Sequence, residues 1–189
     1  CVFVFGGSMF GARLPSLSGV VDGIVCGFAP VTEGYILANK VLARHELPNF
    51  TLFNASLSDK IVTVRMETGT HRRHGNGGHR GGASFVAEVG TPTPTLTIDL
   101  FEYDALQVVL LDLEGHELPA LVGARATLQK HSPVVLVEDN SSECAPFLLG
   151  LGYRQRGETR ELKIWISAGR EDHERIIDQW IADNRGARR

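Results

Sequence analysis

Two short runs of consecutive apolar residues constrain the fold of this chain most. Val108–Leu111 and Val134–Val137 contain no polar residue and are rich in residues that favour strands. Continuously apolar strands are typical of parallel sheets, because helices cover such sheets on both faces. Weaker runs of the same kind predict further strands at Val2–Phe5, Ile24–Phe28, Phe50–Phe53, Val62–Met66 and Leu162–Ile166.

Helical patterns lie between the predicted strands. Thr32–His45 and Glu117–Gln129 carry apolar residues at helical spacing, and Ser141–Leu149 begins with serines that are typical of a helix N-terminus. The glycine-rich stretch Thr68–Thr97 interrupts this rhythm, and we interpret it as one long loop. The alternation predicts an α/β fold with a mostly parallel open sheet flanked by helices.

The composition fits one globular domain. The chain has 189 residues, of which 43% are hydrophobic and 22% charged, with a net charge of −3. These values predict neither a nucleic-acid partner nor a membrane partner. The three cysteines have no paired spacing, which favours a reducing compartment and predicts a cytoplasmic protein. Because the chain opens with Cys1 directly in a strand-like run, we expect it to lack N-terminal elements.

Glycines follow the first predicted strand at Gly6, Gly7 and Gly11. After the first strand of a βαβ unit, glycine lets the backbone approach a ligand closely, and the N-terminus of a following helix offers free N–H groups. A tight turn without a ligand explains these glycines equally well, and Pro15 disturbs the helix that the first interpretation requires.

The second predicted strand ends at Ala29-Pro30. At this position a nucleotide-binding sheet commonly carries an acidic side chain that accepts hydrogen bonds from the ribose hydroxyls. Alanine has no side-chain acceptor, so a strand closed by proline is the simpler interpretation of this segment.

The main cluster of polar residues directly follows the first of the two apolar runs. Asp112, Glu114 and His116 stand where that strand ends. Because ligands bind at the carboxyl ends of strands in open α/β sheets, these residues are candidate general bases or metal ligands. An alternative without chemistry is that Glu114 and Glu117 favour the N-terminus of the next helix. Glu138-Asp139-Asn140 repeats the arrangement one strand later, with helix capping as its alternative.

Taken together, these segments resemble the FkbM family of methyltransferases. Val108–Arg125 is similar to the family's apolar strand followed by Asp-Val-Glu-Gly, Glu-Leu and Leu-x-Gly-Ala, and His131–Glu138 is similar to its basic residue, proline, strand and glutamate. Asn54–Lys60 resembles the family's Ala-Leu-Ser-Asp turn, and Leu151–Tyr153 its late Leu-Gly-Tyr. The resemblance covers roughly residues 2–168.

The resemblance implies a Rossmann-like methyltransferase sheet with S-adenosyl-L-methionine as cofactor. It also implies methylation of a hydroxyl on a sugar or natural-product-like small molecule. The methyltransferase domain would span residues 1–170, with a C-terminal helix and basic tail at 171–189. By position, the cofactor-binding residues are Gly7 and Gly11 at the methionine end, Ala29 at the ribose, and Asn54, Ala55 and Ser56 around the adenine.

The same resemblance places Asp112 and Glu114 beside the transferred methyl group or the acceptor. Our hypothesis gives Asp112 the role of base or orienting group, helped by His116. No metal ligand set is part of this interpretation.

Three departures from the family pattern bear on activity. Phe5 stands where the family has an aspartate before its glycine turn, Ala29 replaces the ribose-binding acid, and Leu110 replaces a lysine. An alternative hypothesis is therefore a degenerate, non-catalytic methyltransferase fold that serves as a binding or structural module. A nucleotide-sugar or dinucleotide enzyme is disfavoured, because the chain lacks a proper Gly-x-Gly-x-x-Gly and a ribose acid.

Residues 71–82 have an unusual composition of histidine, arginine and glycine. We consider three interpretations: a solvated basic loop, a lid whose arginines bind a phosphate or carboxylate of the acceptor, and a metal site made by His71, His74 and His79. The glycines that flank the histidines disfavour preorganised metal ligation.

Overall fold

The computed structural model describes residues 2–7, 23–47, 49–69, 83–159 and 161–184. Within these residues the chain forms strands, α-helices and one 3-10 turn at Ile98–Leu100. The strands are β1 (Val2–Gly6), β2 (Ile24–Phe28), β3 (Phe50–Phe53), β4 (Ser56–Leu57), β5 (Thr63–Gly69), β6 (Ala83–Ala87), β7 (Thr91–Leu96), β8 (Leu106–Leu111), β9 (Val134–Val137), β10 (Tyr153–Glu158) and β11 (Lys163–Ser167). The helices are α1 (Thr32–Arg44), α2 (Glu117–Val122), α3 (Arg125–His131), α4 (Cys144–Gly150) and α5 (Glu171–Asn184).

The larger sheet has the strand order β10-β11-β9-β8-β1-β2-β3. Its strands β3, β2, β1, β8 and β9 run parallel to one another, and β11 runs antiparallel to both β9 and β10. The predicted open, mostly parallel sheet is thus confirmed. The chain passes from β1 to β3 on one side and returns with β8 on the other, so the topological switch point lies between β1 and β8.

Helices cover both faces of this sheet. Alternate residues of β1 point to opposite sides, so Val4 joins one buried cluster while Phe3 and Phe5 join another. The Val4 side packs against apolar residues of α2, α3 and α4, and the Phe5 side against Ala38 and Leu42 of α1. Burial on both faces explains why the strand sequences are continuously apolar.

All seven sequence-predicted strands are confirmed. β2, β3 and β9 have the predicted bounds, and β1, β5, β8 and β11 differ from them by one to three residues at an end. The predicted C-terminal helix is confirmed as Glu171–Asn184, and the basic tail at 185–189 lies outside the described residues. No helix in the described part of the chain is both long and apolar enough to cross a membrane.

The prediction of one long loop over Thr68–Thr97 is wrong, because β6 and β7 lie within it and form a second sheet of order β4-β7-β5-β6. β7 was not predicted because it contains two prolines, which are rare within strands. The N–H of Thr95 donates to Val62 O in the segment leading into β5, and N–H groups alternate sides along a strand, so Pro92 and Pro94 direct their missing donors away from β5. Thr93, between the two prolines, and Thr95, after them, are buried.

The single helix predicted over Glu117–Gln129 is also wrong, since it is two helices interrupted at Gly123-Ala124. Gly123 packs against the backbone of the β4–β5 connection: a Cβ there would lie 2.0 Å from the carbonyl oxygen of Ser58. Asp99 then accepts hydrogen bonds from the free N–H groups of Ala126 and Thr127, at 3.0 and 2.8 Å, which caps α3. Tertiary contacts thus override a continuous helical pattern.

Candidate active site

The carboxyl ends of β1 and β8 meet at the switch point of the sheet. The N–H of Asp112 donates to the carbonyl oxygen of Gly6 at 3.2 Å. A Cβ at Gly7 would lie 1.9 Å from the carbonyl oxygen of Asp112, and Gly7 has a φ of +95°. Only glycine satisfies both conditions. The structure therefore brings the predicted glycine turn and the predicted carboxylates to one edge; Gly11 lies outside the described residues.

The loop after β8 has a left-handed turn at its centre. Glu114 has a φ of +53° and Gly115 a φ of +97°. A non-glycine residue in this region stores conformational energy that the surrounding structure must offset, and such residues cluster at functional sites. Asp112 and Glu114 are both half-buried, so neither carboxylate is an ordinary surface charge.

Glu117 holds this loop in place. Its side chain is 6% exposed, and Oε1 accepts the N–H of Leu113 at 2.8 Å and that of Gly115 at 3.0 Å. Burial raises the pKa of Glu117, while these hydrogen bonds act in the opposite direction and the nearby charge of Glu138 adds to the increase. The carboxylate therefore bridges the two residues that flank Glu114.

His116 makes a connection across the chain that sequence reasoning missed. Its Nε2 lies 3.1 Å from Oγ of Ser58, and that hydroxyl lies 3.0 Å from Oδ1 of Asp59. Burial lowers the pKa of His116, and the charge of Asp59 partly opposes this. Ser58 and Asp59 stand in the Ala-Leu-Ser-Asp turn, but nothing in the sequence pairs that turn with a residue 58 positions later.

The ends of β2 and β3 are tied together by an asparagine. Nδ2 of Asn54 donates to the carbonyl oxygens of Ala29 at 2.8 Å and Pro30 at 3.3 Å, and Oγ1 of Thr32 donates to Asn54 Oδ1 at 3.2 Å. Ala29 is 3% exposed, and its N–H donates to the carbonyl oxygen of Phe53 at 3.0 Å. Both backbone polar groups of Ala29 thus have protein partners.

The other two residues predicted to flank an adenine lie deeper. Ala55 is 4% exposed and Ser56 is 3% exposed, and Ser56 pairs with Thr95 in the second sheet. Of this predicted set, Asn54 alone is half-buried at the edge.

The end of β9 is ordered by an ion pair between a buried carboxylate and a half-buried lysine. Asp139 is 5% exposed, accepts the N–H of Cys144 at 3.1 Å and pairs with Nζ of Lys163 at 3.2 Å. The N–H of Glu138 donates to the carbonyl oxygen of Leu111 at 2.9 Å, which places Glu138 beside the end of β8. Sequence reasoning identified the acidic strand end but missed Lys163, which reaches it from β11.

The predicted alternatives for the histidine-glycine loop, including His71, His74 and His79, concern residues outside the described part of the chain. Among residues that the structure does describe, no group of three histidine, cysteine or acidic side chains is arranged to hold a metal ion.

Comparisons with known proteins agree with this architecture. A sequence model described as "Methyltransferase FkbM domain" matches residues 23–181. No curated protein matches the sequence. A solved FkbM methyltransferase from Methylobacillus flagellatus KT superposes with a TM-score of 0.63 and 18% identity. That alignment covers 87% of this chain but 42% of the other, so the chain spans less than half the length of that protein.

Two further structures share the fold at low identity. A precorrin-6y C5,15-methyltransferase from Geobacter metallireducens GS-15 has a TM-score of 0.51 and 12% identity, over 87% of this chain and 78% of its own. A candidate methyltransferase from Streptococcus mutans, solved in complex with SAH, has a TM-score of 0.51 and 8% identity, over 87% and 86% of the two chains. These likenesses show a Rossmann-like methyltransferase fold.

Proposed function

Because this chain belongs to the FkbM methyltransferase family, we propose that it transfers a methyl group from S-adenosylmethionine to a hydroxyl of a sugar or natural-product-like small molecule. The observation that carries this proposal is the contact between Gly7 and Asp112 at the switch point of the sheet. There the backbone of the glycine turn packs against the backbone of Asp112, whose side chain is half-buried, at the edge where open α/β sheets bind ligands.

The residues at the ends of β1 and β8 fit the sulfonium end of S-adenosylmethionine. The absence of a side chain at Gly7 lets its backbone pack directly against the carbonyl oxygen of Asp112, which brings the two strand ends together. Asp112 and Glu114 supply negative charge at the same edge, and a cation is stabilised there because half-buried charges are only partly screened by water. The Streptococcus mutans structure with SAH is consistent with a ligand of this class on this fold.

The ribose end has a different donor set. Ala29 has no side-chain acceptor, and both of its backbone polar groups are already bonded. The half-buried side chain of Asn54 lies at the same end, but its amide is already bonded to Ala29, Pro30 and Thr32. We expect weaker ribose binding than an acidic residue would give, by about 1.5–3 kcal/mol for one charge-assisted hydrogen bond.

The bound cofactor would supply an electrophilic methyl group on a positively charged sulfur. The protein then has to position the acceptor oxygen in line with that methyl group and accept the hydroxyl proton. In our proposal Asp112 and Glu114 orient the acceptor, and Glu117 keeps their loop fixed through the N–H groups of Leu113 and Gly115. Preorganisation of this kind lowers the cost of reaching the reactive geometry.

The proposed acceptor is a small molecule rather than a nucleic acid, which the net charge of −3 supports. We also propose a cytoplasmic location, supported by Cys26 and Cys144, which are free thiols.

A second candidate function is a non-catalytic module on the same fold. Two observations favour it: Phe5 is 2% exposed in the core, and Ala29 is 3% exposed, so neither position can bind the cofactor through its side chain. The two functions differ in whether the chain binds S-adenosylmethionine.

Calorimetry with S-adenosylmethionine and S-adenosylhomocysteine tests the proposal. We expect both to bind, and the sulfonium to bind more tightly because of the nearby carboxylates. Asp112→Asn should reduce this preference by roughly tenfold, the equivalent of about 1.4 kcal/mol. Asp104→Asn is the matched control, because Asp104 is exposed at the amino end of the same strand. No heat with either ligand would overturn the proposal and favour the non-catalytic module.

A further inference from the structure

Three polar side chains form a chain from the start of α2 to the end of β4. Asp59 Oδ1, Ser58 Oγ and His116 Nε2 follow one another at 3.0 and 3.1 Å. The hydroxyl lies in the middle, which differs from a nucleophilic triad, where the histidine stands between the other two groups. Ser58 is 3% exposed and His116 is half-buried, whereas Asp59 at the outer end is exposed.

The donors and acceptors fix the tautomer of the histidine. A serine hydroxyl has one proton, and a carboxylate oxygen only accepts, so the Ser58 proton points to Asp59. Oγ of Ser58 must then accept from the ring, which requires the proton of His116 to be on Nε2. A neutral ring with its proton on Nε2 has an unprotonated, basic Nδ1.

Nδ1 of His116 makes no hydrogen bond to the residues that the structure describes. His116 is the N-cap residue of α2, yet its side chain makes no capping hydrogen bond. Within the described residues, the hydrogen bond of this ring is the one to Ser58. Burial lowers the pKa of His116, which favours the neutral ring, in which Nδ1 keeps its lone pair.

Backbone contacts anchor Ser58, the direct partner of His116, near the switch point. The N–H of Ser58 donates to the carbonyl oxygen of Leu96 at 2.9 Å, and the close approach of Gly123 fixes the Ser58 carbonyl. The adjacent Leu57 reaches the end of β1, because a Cβ on Gly6 would lie 3.1 Å from its Cδ1. Ser58 is therefore anchored next to the edge where β1 and β8 end.

We propose that Ser58 and Asp59 are positioning residues that hold His116 as the Nε2–H tautomer, so that Nδ1 accepts the proton of the acceptor hydroxyl. This inference rests on the proposed function. The acceptor oxygen gains its bond to the methyl carbon as the carbon–sulfur bond breaks, its proton moves to Nδ1, and the sulfur leaves as a neutral thioether. The charge that forms on the ring is stabilised by the hydrogen bond to Ser58 and by the carboxylate of Asp59 beyond it.

Nitrogen-15 NMR of the histidine rings in the full chain tests the tautomer without an acceptor. The His116 signals are those that disappear in His116→Gln, and we expect them to report Nε2–H. Ser58→Ala should change the tautomer ratio by about fivefold, the equivalent of a net hydrogen bond of about 1 kcal/mol. Ser142→Ala, which removes a serine bonded to Lys163 instead, is the matched control and should leave these signals unchanged.

A second variant keeps the test decisive if Ser58→Ala does not fold. Asp59 is exposed, and Asp59→Asn should further lower the pKa of His116 because it removes the opposing charge. A wild-type His116 with its proton on Nδ1, or a tautomer ratio unchanged by Ser58→Ala, would overturn the inference. The Nε2–H tautomer in a chain that binds neither cofactor form would instead overturn the proposed function, and with it the proton-accepting role.

Discussion

Replacement of Glu117 tests whether a buried carboxylate holds the loop that carries Asp112 and Glu114. Glu117→Ala removes the acceptor of two backbone N–H groups, those of Leu113 and Gly115. The bond to Leu113 is buried, so its N–H loses a charge-assisted hydrogen bond worth about 1.5–3 kcal/mol, whereas Gly115 is exposed and its N–H can bond to water. We expect a loss of about 2–4 kcal/mol in the free energy of unfolding.

Glu117→Gln should behave differently. Its side-chain oxygen can still accept both N–H groups, and the neutral amide avoids the cost of burying a charge. We expect its free energy of unfolding to lie within about 1 kcal/mol of the wild-type value. Because burial raises the pKa of Glu117 above its ordinary 4.5, protonation of this group stabilises the wild type below that pH. That contribution is lost as the pH rises through the pKa of Glu117 in the folded state. The glutamine variant should not show this dependence of the unfolding free energy on pH.

Urea unfolding followed by circular dichroism, at several pH values, measures both effects. Glu33→Ala is the matched control, because Glu33 is an exposed glutamate in the first turn of α1, and it should change stability by no more than about 0.5 kcal/mol. A Glu117→Ala variant that loses less than about 1 kcal/mol, or a glutamine variant that loses as much as the alanine, would refute the reasoning.

Two further outcomes follow from other contacts. His173 Nε2 accepts a hydrogen bond from Arg170 at 2.6 Å, and burial lowers the pKa of His173. The melting temperature should therefore fall as the pH decreases below about 6.5 and through the folded-state pKa. His173→Gln should flatten this part of the plot of melting temperature against pH, and an unchanged plot would contradict this role. Asp99→Ala should lower the free energy of unfolding in urea by about 1 kcal/mol, because it removes the cap of α3. Asp104→Ala should leave this free energy unchanged, and equal effects of the two variants would argue against capping.

Part of the site could be predicted from the sequence because its signals are local. A strand buried on both faces must be continuously apolar, and the polar residues after it must lie at its end, which is how Asp112 and Glu114 were identified. The bounds of β9 followed from the same rule, and those of β2 and β3 from weaker apolar runs. The match of residues 23–181 to the FkbM domain agrees with the resemblance read from these motifs.

Tertiary structure decided what local patterns do not encode. The strand order, which puts Gly7 against Asp112, depends on pairing between segments more than a hundred residues apart. An acidic residue such as Glu117 is typical of the first turn of a helix, and the sequence indicates no more than that. In the folded chain its buried carboxylate instead accepts a hydrogen bond from the preceding loop. Ser58 meets His116 only because the second sheet folds beside β1, and a contact made by packing leaves no periodicity in the sequence.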